Sequence, residues 1–210
     1  LTSLAAPVEG THQLFVWLED RAGNVSYQTR NATSVAAFRW DVTQPNTSVS
    51  NLDARSGCGD WFVSPVLISL VTADVNPDPM IVNATSGISS TYWRLDQGAW
   101  QTVLAGAIEV PDQGTHTVEF YSVDVAGNRE PTRVVSPTLR IDSVPPTTSP
   151  PSFTGTLGPN GWYRSPVSVS LTALDTTSGI SVTLYQVNTD TVRSGNSLVI
   201  DADGEHMLSY

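Results

Sequence analysis

The chain contains no lysine: its ten basic residues are all arginine, set against 20 acidic residues for a net charge of −10 over 210 residues. The arginines are scattered and no basic run occurs. A phosphate backbone or an anionic bilayer would be repelled, so no nucleic acid and no charged membrane surface is expected as a partner. Charge is sparse altogether, at 14%. Ser, Thr, Pro and Gly fill the gap, which suits many short strands joined by turns. Long apolar runs are missing too. The longest, Trp61 to Ala73, is broken by Ser64, Pro65 and Ser69, and falls short of the roughly 18–20 residues of a membrane span. A single cysteine, Cys58, excludes a disulfide framework within the chain. Neither an initiating Met nor a signal-like segment stands at Leu1, so the chain reads as a piece of something longer. What is present in ordinary amount is apolar residue, at 40%, enough for a packed core.

The sequence repeats itself. Gly10-Thr11-His12 recurs as Gly114-Thr115-His116, and Gly204-Glu205-His206 is a third copy. Asp20 to Asn24 recurs as Asp124 to Asn128, Trp61 to Val66 as Trp162 to Val167, and Ser86-Gly87-Ile88 as Ser178-Gly179-Ile180. Asp41 with Pro45 recurs as Asp142 with Pro146. The order of these landmarks is constant, so one unit spans about 100 residues, the usual size of an immunoglobulin-like sandwich. The spacing divides the chain into the end of one unit (1–40), a complete unit (41–142) and the beginning of a third (143–210). The complete unit carries an insertion between Asp74 and Ser86, relative to the interval from Asp175 to Ser178. Proline at the two junctions makes each a short, stiff connector.

Period-2 alternation dominates, and no segment keeps a 3.6 period. Val66, Ile68 and Leu70 share one strand face, and their counterparts Val167, Val169 and Leu171 are apolar as well. Trp93 with Leu95, and Val118 with Phe120, form further inward pairs. Strands are expected at 47–52, 65–73, 90–96, 100–104, 107–110, 115–124 and 133–141. In the Ala-Gly-Asn turns at 22–24 and 126–128, Gly and Asn are expected to supply the positive φ. The expected fold is all-β, tandem immunoglobulin-like antiparallel sandwiches with one complete unit between two partial ones.

Several motifs together carry a family resemblance: Asn160-Gly161-Trp162-Tyr163 with Ser165-Pro166-Val167, Asp175 with Ser178-Gly179-Ile180, Gly114-Thr115-His116, Tyr121 to Asp124 with Ala126-Gly127-Asn128, and the junction from Ile141-Asp142 to Pro146. In these the chain resembles the bacterial immunoglobulin-like repeats found in tandem in large secreted and cell-surface proteins. The resemblance covers essentially the whole chain. It implies an extracellular or cell-surface spacer, adhesin stalk, or accessory module beside a secreted hydrolase. The implied partners are neighbouring repeats of the same chain, and surface carbohydrate or protein. It implies no catalytic residue, because the shared motifs are turn and core positions.

Read residue by residue, the chain suggests no enzyme. His12, His116 and His206 occupy one repeated strand position, which favours a structural role over catalysis, and no Gly-x-Ser-x-Gly elbow is present. Cys58, in Gly57-Cys58-Gly59, has no base beside it and reads as a loop thiol. Trp61 and Trp162 are equivalent, which argues for packing. Trp100 has no aromatic counterpart and is the best candidate for an exposed ring that could stack on carbohydrate, the alternative function. Calcium is the one cofactor suggested. Asp74, Asn76 and Asp78 have the spacing that begins an EF-hand, but Pro79 stands where glycine belongs and Thr85 where the bidentate Glu belongs. A different loop site is the remaining reading there. Separately, Asp41 or Asp142 at a connector could meet a turn carboxylate such as Asp124 of an adjoining unit.

Overall fold

The computed structural model describes residues 8–16, 18–25, 34–76, 85–104 and 107–210. Asp78, one of the expected cation ligands, lies outside them. Contacts divide the chain into two compact units, one comprising Leu1–Ala54, Pro65–Pro111 and Thr115–Leu139, the other Arg55–Ser64, Asp112–Gly114 and Arg140–Tyr210. In chain order the strands are β1 (Gly10–Val16), β2 (Ser34–Trp40), β3 (Asn46–Asp53), β4 (Trp61–Phe62), β5 (Val66–Ala73), β6 (Ile88–Leu95), β7 (Gln101–Thr102), β8 (Ala107–Val110), β9 (Gly114–His116), β10 (Val118–Asp124), β11 (Arg133–Val134), β12 (Leu139–Ile141), β13 (Thr147–Thr148), β14 (Ser152–Thr154), β15 (Val167–Ser170), β16 (Ala173–Leu174), β17 (Leu184–Val187), β18 (Arg193–Ser194), β19 (Ser197–Ile200) and β20 (Leu208–Ser209). Among the described residues there is no α-helix, only a 3-10 turn at Pro159–Gly161, and no helix is long and apolar enough to cross a membrane. The structure is all-β, and its sheets are largely antiparallel.

In the first unit, β1 and β2 form an antiparallel ladder from Gly10↔Trp40 to Val16↔Ser34. Two larger sheets follow, ordered β3-β5-β8 and β11-β10-β6-β7. Alternation decides what faces inward. Val66 and Ile68 on β5, Ile108 and Val110 on β8, and Val118 and Phe120 on β10 are all at most 2% exposed, whereas Leu67, between the first two, is 41% exposed. Each such buried aliphatic side chain contributes about 1.5–3 kcal/mol by leaving water. Leu70, Trp93 and Leu95, expected on the same inner faces, are half-buried. The two sheets also touch through hydroxyls, Thr47 Oγ1 to Ser122 Oγ at 2.6 Å and Thr72 Oγ1 to Thr91 Oγ1 at 3.4 Å. Two sheets meeting in this way are consistent with a β-sandwich.

Two expected strands are broken. The segment 115–124 divides at Thr117, because Thr117 bonds outside the ladder: its N–H donates to Asp96 Oδ1 at 2.8 Å and its carbonyl accepts from the Asp96 N–H at 2.9 Å. The segment 133–141 divides into β11 and β12 around Pro137, which has no N–H to give. The expectation for the Ala-Gly-Asn turns also needs correction. Gly23 and Gly127 have positive φ, 85° and 96°, but the non-glycine residues that do so are Asp96, Gln97, Asn160 and Asn188. Asn24 and Asn128 serve the turns as hydrogen-bond donors instead.

The second unit contains the sheets β14-β15-β19 and β18-β17-β20 and the pair β13-β16. In it Arg140 and Ile141 run parallel to Trp61 and Phe62 of β4. Val169, Leu171 and Ile141 are buried, and Val167, Tyr185 and Val187 are half-buried. The equivalence of Trp61 and Trp162 does not extend to their burial. Trp61 has β12 beside it and Arg140 6.0 Å from its ring, and is half-buried. Trp162 is 56% exposed, and its neighbour Tyr163 makes only an isolated bridge to Leu157.

Candidate functional site

Three segments of the first unit converge on one point. Asp41 begins the connector after β2, Asp74 follows the end of β5, and Asp124 ends β10. Asp124 continues the inward face of β10 after Val118, Phe120 and Ser122, and is 1% exposed. Past it the chain turns back at Gly127, and Asn128 clasps the carboxylate: its N–H donates to Oδ1 at 2.7 Å and its Nδ2 to Oδ2 at 2.8 Å. The same Nδ2 reaches the Asp41 carbonyl at 3.0 Å. A bulge on β6 sets the opposite side. Val123 pairs with Ser90 and Asp124 with Ile88, so Ser89 is the extra residue. This brings Ser86 and Gly87 alongside, where Gly87 O accepts from the Val125 N–H at 2.8 Å and Ser86 Oγ from the Ala126 N–H at 3.0 Å.

The other two carboxylates are held by the Ser86 and Gly87 amides. Asp41 Oδ1 accepts from the Thr43 N–H at 3.1 Å and Oδ2 from the Ser86 N–H. Asp74 Oδ2 accepts from the Gly87 N–H at 2.7 Å. Its Oδ1 is shielded from solvent and accepts no hydrogen bond. Asp41, Asp74 and Asp124 each offer an oxygen within 4.8 Å of the others. Glu9 adds a fourth acid, accepting at Oε1 from the Val42 N–H (2.8 Å) and at Oε2 from Thr43 Oγ1 (2.6 Å) and Asn76 Nδ2 (2.6 Å). Burial pushes the Asp74 pKa above its ordinary value. The charges of Asp41, Asp124 and Glu9 act in the same direction, and the Gly87 N–H opposes them.

The same bonding recurs in the second unit. Asp142 Oδ1 accepts from the Val144 N–H at 3.1 Å and Oδ2 from the Ser178 N–H at 3.0 Å. Asp175 Oδ1 accepts from three amides, those of Thr177, Ser178 and Gly179, at 2.8–3.0 Å. Thr177 Oγ1 donates to Gln113 Oε1 at 3.3 Å, in the places of Asn76 and Glu9. Hydrogen bonds from Ser178 hold the Asp142 carboxyl below its usual value. Burial opposes them, and the Val144 N–H adds to the lowering.

Of the residues singled out as cation ligands, the structure thus gathers Asp41, Asp74 and Asp124. Asn76 joins through its amide nitrogen, on Glu9. Asp142 lies in the second network and is not part of the cluster. Trp100 is half-buried, with Tyr121 edge-on at 4.6 Å and the Arg94 guanidinium 4.6 Å from its ring centre. Cys58 is exposed beside a groove of about 300 Å3 that Trp61, Asp142 and Ile180 also line. The repeated histidines are tied into the fold. The Nε2 atoms of His12 and His206 donate to the carbonyls four residues earlier, at 2.6 and 2.9 Å. His116 Nδ1 lies 2.8 Å from Asp96 Oδ2.

Sequence reasoning missed Glu9 and Glu130. Glu9 precedes the repeated Gly-Thr-His as Gln113 does, so its place in the repeat was the available signal. Glu130 is 1% exposed and bridges the sheets: Oε2 accepts from the Thr47 N–H at 2.9 Å and Oε1 from the Ser122 N–H at 2.8 Å. Nothing in the sequence marks it as buried. Compared with known proteins, the chain matches no protein-family model and no curated protein.

Proposed function

We propose that this chain is a non-catalytic structural and interaction module, a run of immunoglobulin-like repeats serving as stalk or spacer in an exported protein. The observation that carries the reading is the recurrence of one bonded junction. Asp41 is held by the Ser86 amide with Asp74 on the Gly87 amide, and Asp142 is held by the Ser178 amide with Asp175 on the Gly179 amide. In each case the residue before the repeated Gly-Thr-His is tied to the loop that follows Asp74 or Asp175: Glu9 to Asn76, and to Thr43 of the connector, and Gln113 to Thr177. A spacer needs this, because its reach depends on connectors that do not flex freely. The histidine contacts suit the same reading, since their ring nitrogens meet backbone carbonyls and Asp96. A sugar stacking on Trp100 would have to compete with Arg94 for the ring.

The test lengthens the array. One additional copy of residues 41–142 is placed after Asp142, and the maximum dimension is measured by small-angle X-ray scattering. A domain of about 100 residues has a radius of gyration near 13 Å, so a stiff array should lengthen by roughly 35 Å. An insertion that swells the particle without lengthening it overturns the spacer reading.

A further inference from the structure

We propose that this chain assembles head to tail, β2 of one copy adding in parallel to the Trp162-Tyr163 edge of the next. The chain holds its own template for that contact. The hairpin around β4 recurs around Tyr163 bond for bond. Gly57 N–H donates to the Trp61 carbonyl, Val63 N–H to the Arg55 carbonyl and Arg55 N–H to Ser64 Oγ, each at 2.8 Å. Gly158 N–H donates to the Trp162 carbonyl at 2.6 Å, Arg164 N–H to the Thr156 carbonyl at 2.7 Å and Thr156 N–H to Ser165 Oγ at 2.8 Å. In both hairpins the neighbours of Phe62 or Tyr163 make the bonds, so that residue's own N–H and carbonyl point outward. On Phe62 this edge is occupied. Ile141 of β12 lies opposite it, and the Asp142 N–H donates to its carbonyl at 2.8 Å. Among the described residues no strand pairs with the outward edge of Tyr163. A groove of about 870 Å3 lies against Trp162 and Tyr163, with Phe153 and Ile200 also in its wall.

The same chain carries a second strand of the kind that β12 supplies. Phe38-Arg39-Trp40-Asp41 at the end of β2 matches Leu139-Arg140-Ile141-Asp142 at the end of β12, apolar-Arg-apolar-Asp in both. Leu139 and Ile141 are buried, whereas Phe38 and Trp40 are 39% and 38% exposed. Among the described residues β2 pairs with β1 alone, and such an edge is a template for another chain. Laid on Tyr163 as Ile141 lies on Phe62, Trp40 would be covered. Arg39 would then come over the Trp162 ring, as the Arg140 guanidinium stands 6.0 Å from that of Trp61. Asp201, Asp203 and Glu205 in the groove wall offer Arg39 the opposite charge. Asp41 can keep its side-chain bonds meanwhile. Asp142 shows how: its carboxylate accepts from Val144 and Ser178 while its own N–H serves Phe62. Donor and acceptor are different surfaces, so the contact does not close on a dimer but adds copy to copy.

The test is sedimentation velocity on the full 210-residue chain. Interfaces of ordinary size reach micromolar Kd or tighter. A strand this short should bind with Kd on the order of 100 µM, so the chain is followed from about 10 to 500 µM. The mean mass should climb with concentration from the 22.5 kDa of one chain past that of two. Trp40→Glu disables the donor strand, and Tyr163→Pro removes the outward N–H of the acceptor. Both side chains are partly exposed, so each variant should still melt cooperatively, and each alone should remain a single chain. Mixed in equal amounts, the two should form complexes of two chains and none larger. Trp40→Glu still offers a groove and Tyr163→Pro still offers a strand, and a misfolded variant could not restore pairing. A chain that stays single at every concentration, a variant that associates as the unaltered chain does, or a mixture that fails to pair would each overturn the proposal. Failure here leaves the scattering test of the spacer untouched.

Discussion

Glu130 is a buried acid and Asp74 a half-buried one, and their surroundings differ. Each oxygen of Glu130 accepts a backbone N–H, one from β3 and one from β10, and Arg133 Nε lies 3.3 Å from Oε2. Glu130→Ala would leave the Thr47 and Ser122 amides unpaired inside the protein. At about 1–3 kcal/mol for each orphaned group, the chain should lose about 2–6 kcal/mol in urea denaturation. Glu119 makes a comparable ion pair with Arg94 nearer the surface. Glu119→Ala should cost within about 1 kcal/mol. Equal losses in the two variants would show that the amide contacts of Glu130 carry no weight. Asp74 has one amide where Glu130 has two, and its remaining oxygen has none.

At the scale of the element, the segment after β12 is held through the Asp142 carboxylate. Asp142 has its pKa lowered in the folded chain, so the folded state favours its charged form. The resulting stability is present above the unfolded carboxylate pKa of about 3.9 and is lost as the pH falls through the lower folded value. Asp142→Asn should therefore lower the urea midpoint at pH 7, and the gap to the unaltered chain should close as the pH falls toward about 2. A gap that persists undiminished there would mean that the charge is irrelevant. Much of this level was legible in the sequence. The alternation of Val66, Ile68, Val118 and Phe120 against Leu67 fixed the inner faces, because a period of 2 leaves only one register that buries them. The recurring Asp and Ser-Gly motifs marked positions that meet in both networks, and Ala-Gly-Asn one that joins the first. What could not be read was which loop reaches which carboxylate. That depends on the Ser89 bulge and on Asn128 acting as a donor, and both are consequences of packing. The breaks at Thr117 and Pro137 are of the same kind: a distant side chain decides one, and the lack of an N–H the other.

For the molecule as a whole, a net charge of −10 with no lysine means self-repulsion that opposes folding. Screening should relieve it. Raising NaCl from 10 to 200 mM in the presence of chelator shortens the Debye length from about 30 Å to below 10 Å. The melting temperature should rise by about 2–4 °C, the shift that roughly 1 kcal/mol makes for a chain of this size, and a fall would show that attractive surface pairs outweigh the repulsion. The base of the inserted loop has a consequence of another kind. Thr85 Oγ1 donates to the Asp74 carbonyl at 3.0 Å and the Gly87 N–H to its side chain at 2.7 Å, so the two ends of the insertion are clasped together. Asp175 and Gly179 close the corresponding interval with far fewer residues between them. Because each doubling of a closed loop costs only about 0.6 kcal/mol, the length between Asp74 and Thr85 is nearly neutral to the scaffold. Foreign peptide grafted there would be displayed on a framework that scarcely registers it.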